Sequence, residues 1–161
     1  MGNSSIELGP AIFGGDTVAF LEMQVDAEPT TNARRIMARG ATDGTTIQAV
    51  EFSVGRAGFD PNDYTAALPV NPDAIALDEP FFGPKLIDRI ERPNNQAISC
   101  YCVLEAGDAN TTLGEIAIWG EVQNSVGDPV DGTKVALAIG HFPLLAKNSS
   151  MRYALRVTIQ A

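Results

Sequence analysis

Positive charge is scarce in this 161-residue chain. Lys and Arg number 11 against 20 Asp and Glu, a formal net charge of −9 at pH 7. Clustered cations hold a protein to a phosphate backbone or an anionic bilayer, so this balance argues against nucleic-acid or membrane partners. No apolar run approaches the roughly 20 residues that span a bilayer. No basic segment followed by an apolar run comes after Met1, as a secretory signal would require. The expectation is a soluble protein made in a cytoplasm. Histidine occurs once, at His141, and cysteine only at Cys100 and Cys102. That falls short of the roughly four ligands of a structural zinc site. There is no Gly-x-Ser-x-Gly elbow, no phosphate-binding glycine loop and no dinucleotide fingerprint. These absences predict no enzymatic activity, no catalytic or metal-ligating set and no cofactor.

What is present describes a folded chain. Hydrophobic residues make up 45% and charged residues 19%, a composition that buries a core rather than staying disordered. So little charge also suggests that some surface is covered by partners. Fifteen Gly and ten Pro suit many short elements joined by turns. The length favours one domain, with or without an appended arm.

Residues 1–33 hold Glu7, Asp16, Glu22, Asp26 and Glu28 and no Lys or Arg. Residues 1–28 are expected to form an arm or extra strands, with imperfect alternation over Asp16–Val25. Thr30-Thr31-Asn32 offers cap residues, and one short helix is predicted over 31–39 with Gly40 as its stop. Thr45–Val54 reads as a strand. Residues 55–84 carry five prolines and read as a long ordered loop, pinned by side chains such as Phe59, Tyr64, Leu77 and Phe82. Beyond it, Lys85–Arg92, Gln96–Glu105, Leu113–Glu121, Lys134–Phe142 and Met151–Gln160 are five strand candidates between polar turns. The predicted fold is mainly β (α+β): an antiparallel β-sandwich-like domain over 29–161. In the strand Ile98–Leu104, Cys100 and Cys102 share one face with Ile98 and Leu104 and read as small buried hydrophobes.

Five features could carry chemistry, and each has a plainer reading. His141, in Gly140-His141-Phe142-Pro143, lacks any partner the sequence names and reads as structural or interfacial. Asp60-Pro61-Asn62-Asp63 offers oxygen donors out of register with a calcium loop and reads as an Asx-turn network. Asp78-Glu79 reads as solvated loop charge. Glu115 and Glu121 are acids on one strand with nothing to pair them across a groove. Trp119 could stack a sugar but reads as core or interface.

Several segments together resemble a known family. Thr31–Arg39, then Thr45–Gly55, then Ala57-Gly58-Phe59-Asp60-Pro61 resemble the N-terminal module of phage tail-collar fibre proteins. Leu113-Gly114-Glu115-Ile116-Ala117-Ile118-Trp119 is similar to that family's Gly-Glu-Ile strand. Ala138–Pro143 with Ala146-Lys147 resembles its aromatic-Pro step before a Lys, and Arg152–Gln160 its closing strand. The resemblance covers roughly residue 29 to the C-terminus; the arm at 1–28 lies outside it.

The resemblance implies a virion structural protein of the phage tail, assembled in the host cytoplasm. It would act as a fibre/baseplate adaptor or as a short tail fibre. Its expected partners are copies of itself, as a homo-oligomer with a trimer favoured, and other tail or baseplate proteins. Candidate interface residues are Ile12, Phe13, Phe20 and Leu21 of the arm and the Phe81-Phe82 pair. The same residues could instead cover the domain's own core. The competing functions are a capsid decoration (cement) protein and a carbohydrate-binding receptor-recognition module.

Overall fold

Alternation builds the body of this protein, and it is plainest at the C-terminal end. Tyr153, Leu155, Val157 and Ile159 are buried while Arg152, Arg156, Thr158 and Gln160 are less so, as one covered sheet face requires; the small Ala154 is buried on the other face. The structure is a computed structural model that describes residues 7–9, 12–13, 16–17 and 19–160. Its strands in chain order begin with β1 (Glu7–Gly9), β2 (Ile12–Phe13), β3 (Asp16–Thr17) and β4 (Ala19–Pro29). After the helix α1 (Thr31–Asp43) come β5 (Thr46–Gly55), β6 (Phe59–Asp60), β7 (Asp63–Ala67), β8 (Pro80–Leu86) and β9 (Arg89–Asn94). β10 (Ala97–Leu104), β11 (Thr112–Gln123), β12 (Pro129–Ala146) and β13 (Met151–Gln160) complete the chain. The fold is mainly β with one short helix.

One nine-stranded sheet runs β8-β5-β11-β12-β4-β13-β10-β9, with β1 paired to β4. It curls into a half-barrel. The residues between β8 and β9 hold the curl. Ile87 N donates to Val50 O of β5 at 3.1 Å, and Asp88 N donates to Tyr101 O of β10 at 2.9 Å. A single stretch of chain therefore bonds to strands near both ends of the sheet. The expected antiparallel sandwich takes the form of one curled, mixed sheet. The mixed element is β4, which runs parallel to β13 from Ala19↔Met151 to Ala27↔Ile159. Parallel neighbours need a long crossover; here most of the domain intervenes between the two strands, and residue alternation carries no information on direction.

The helix is longer than the sequence predicts. Thr30 Oγ1 accepts from Ala33 N at 3.1 Å and donates to Ala136 O of β12 at 2.7 Å, capping the helix and pinning it to the sheet. Gly40 does not end it. A Cβ there would strike the carbonyl of Thr45, so glycine is needed inside the helix because the chain doubles back against it. The stop is Gly44, which takes φ 76° and donates to Gly40 O at 3.0 Å, the glycine cap expected of a left-handed residue.

The stretch 55–84 contains more regular structure than a loop. Asp60 Oδ1 accepts from Asn62 N at 2.8 Å and Asp63 Oδ1 from Thr65 N at 3.1 Å, tying the small β6–β7 hairpin. β8 begins at Pro80, so the irregular part shrinks to residues 68–79. The expected strand over 85–92 is split at Ile87–Asp88, where the chain crosses between sheet edges.

Phe52, Val54, Leu104, Ile116, Ile118 and Leu155 are wholly buried in the inner core, with Cys100 and Cys102 among them. A smaller cluster lies on the outer face of β11 and β12. There Ala117, Ala136 and Ile139 meet Leu77, with Val70, Ala74 and Trp119 packed around them. Segment 68–79 is thus plated onto the outside of the barrel.

Burial pushes the Cys100 thiol up to about 11, and burial with its cysteine neighbour raises Cys102 as well. A thiol whose pKa is raised by folding supports the folded state while it stays protonated in both states. That support drains away once unfolded thiols ionise. Urea unfolding should therefore show stability falling between about pH 9 and about pH 11, and replacing both cysteines with Ala should flatten that part of the profile.

Candidate functional site

Glu115 sits on β11, where both sheet faces are covered. Inward neighbours pack the barrel core and outward neighbours pack under segment 68–79. It is 0% exposed, and its position faces that outer covering. An isolated carboxylate there would be costly. Its oxygens are fully engaged: Oε1 accepts from Asp78 N at 2.9 Å, and Oε2 accepts from Glu79 N at 2.8 Å and Ala57 N at 3.2 Å. Gly55 and Gly58 make room for this. A Cβ on Gly55 would strike Glu115 Oε2, and one on Gly58 would strike the Gly114 carbonyl.

His141 is the cross-strand partner of Glu115 on β12. Its Nδ1 lies 2.9 Å from Leu68 O. A carbonyl only accepts, so Nδ1 carries the proton in this contact. Glu115 holds the end of segment 68–79 at Asp78 and Glu79, and His141 holds its start at Leu68. The two side chains form a clamp on both ends of the outer cover.

Asp78, Glu115 and His141 also bring one ligand-type atom each to within 4.8 Å of one another. A cation there would compete with three N–H donors already aimed at the Glu115 oxygens. The arrangement serves as a mechanical clamp, and the carboxylate supplies strong charge-assisted acceptors.

Protein-family models, curated proteins and solved structures yield no match to this chain. Its function must be read from its own surfaces.

One strand, β8, presents apolar side chains on both of its faces. Phe82 and Lys85 lie opposite Val54 and Phe52 of β5, whose side chains are in the core, so Phe82 and Lys85 face inward. Phe82 packs against the inner core, and Lys85 Nζ reaches Val103 O at 2.8 Å and Asp108 at 3.1 Å. The alternating residues Phe81 and Leu86 face outward and are 51% and 71% exposed.

The arm candidates are placed differently. Leu21 packs against the domain's own core. Phe20 is half-buried with the Arg152 guanidinium 5.2 Å from its ring centroid. Ile12 and Phe13 form β2, paired with β3, and their side chains lie outside the described residues.

Trp119 donates Nε1–H to Ser53 Oγ at 2.9 Å and packs in the outer cluster. The clamp was missed in the sequence because Asp78 and Glu79 take part through backbone N–H groups, which no side-chain pattern reveals. One signal was available. Glu115 interrupts Leu113–Trp119, a run apolar at both parities, so a charge there had to be buried and satisfied.

Proposed function

We propose that this chain is a structural protein of a phage tail, an adaptor or short fibre that joins fibre to tail or baseplate by subunit packing. The observation that carries the reading is the outward pair Phe81 and Leu86, large apolar side chains held open to solvent on a laddered strand. A rigid strand fixes their positions, so little conformational entropy is lost on docking. Exposed apolar surface of this kind marks interaction sites. The tail assignment is supported by the order of segments from Thr31 to Gln160 that resembles the tail-collar fibre module. On this reading the chain forms a homo-oligomer, with a trimer favoured, and works by shape rather than by bond-making.

Immunogold labelling of phage particles encoding this chain tests the address. Label confined to the tail is expected. Label on the capsid would overturn the tail reading in favour of a decoration protein. Light scattering on the purified 17.1 kDa chain should report a mass near three times that of the monomer.

A further inference from the structure

The half-barrel has an open seam. β5 pairs with β8 only from Glu51 onward, so Thr46–Ala49 have no ladder partner on that side among the described residues. Among the described residues β9 ends the sheet and pairs with β10 alone. Between these two edges lies a groove of about 380 Å³. Its floor is Ile47, Ile98, Leu137 and Ile159, with Met37 of α1 and Ile90 of β9 as walls. Ile90 is 45% exposed although it lies opposite the wholly buried Cys100; the barrel is simply not covered there. Arg92, two residues further along β9, stands on the rim, and among the described residues no Asp or Glu lines the groove. In a chain of net charge −9 this is a local reversal of sign. Among the described residues Arg92 forms no ion pair, nor does the exposed Arg34, one helical turn before Met37.

We infer that this seam receives an extended strand from a different tail subunit, a segment that alternates apolar side chains with Asp or Glu. The inference rests on the subunit-packing reading above and names the partner's chemistry. An incoming strand would pair its backbone with the free edges of β5 and β9, the mode by which sheets accept peptides. Its apolar side chains would fill the floor, and its carboxylates would meet Arg92 on the rim. Charge complementarity selects an acidic strand over a basic one, and the free edges select an extended peptide over a helix.

The test uses the full chain with its Ile methyl groups labelled for NMR, and two short capped peptides, one alternating Val with Glu and one alternating Val with Lys. The Val/Glu peptide should shift the Ile47, Ile90, Ile98 and Ile159 signals and leave Ile116 unmoved. The Val/Lys peptide should bind about tenfold more weakly, and Arg92→Glu should invert that preference. Arg92 is exposed, so the variant should keep the wild-type thermal midpoint. No shift with either peptide, or equal shifts that ignore Arg92→Glu, would overturn the inference. Shifts at these methyls that follow the concentration of the protein alone would also overturn it, assigning the groove to a second copy. Peptide binding with particles that carry no tail label would leave the groove standing and remove the tail reading; tail label without peptide binding would do the reverse.

Discussion

Glu115→Ala is expected to destabilise the fold by roughly 3–5 kcal/mol, because it removes a buried carboxylate and leaves three amide donors without their acceptor. For a chain of this size that lowers the thermal midpoint by about 10 °C. The donors belong to Ala57, Asp78 and Glu79, so the damage is directional. The end of segment 68–79 is released first, and the outer cluster around Leu77, Ala117 and Ile139 loses its cover. Amide exchange at Asp78 and Glu79 should accelerate more than exchange in β13. Glu115→Gln keeps the shape and one acceptor and should fall between the wild type and the alanine variant. Urea unfolding decides: a loss below about 1 kcal/mol for the alanine variant would mean that the carboxylate does not hold the loop.

The parts of the fold that follow from local pattern were legible. β13 was read at its true limits because Tyr153, Leu155, Val157 and Ile159 alternate without interruption. Cys100 and Cys102 could be placed in the core because a strand puts both on the face of Leu104. What pattern could not supply was anything set by chain neighbours far apart in sequence. Gly40 looks like a helix stop until Thr45 is known to fold back against it. Pro80–Pro84 looks like loop because Pro80, Gly83 and Pro84 mask a strand that finds its ladder only on β5. Asp78 and Glu79 are exposed, as their charge suggests, but their backbone N–H groups anchor the chain to Glu115, 37 and 36 residues away, which side-chain pattern cannot show. The clamp was hidden for the same reason, whereas the exposure of Phe81 beside the half-burial of Phe82 needed the register of β8 on β5.

The central claim is that the chain works by packing β8 against other tail subunits. The most direct measurement is the amount of Phe81→Asp/Leu86→Asp double variant found in purified phage particles. Both side chains point to solvent, so the variant should unfold within about 1 kcal/mol of the wild type. Burying either aspartate against an apolar partner surface without a counter-charge costs several kcal/mol, enough to cut assembly by more than about tenfold. The account predicts a folded variant that is missing from the particles. A folded variant incorporated at the wild-type level would contradict it.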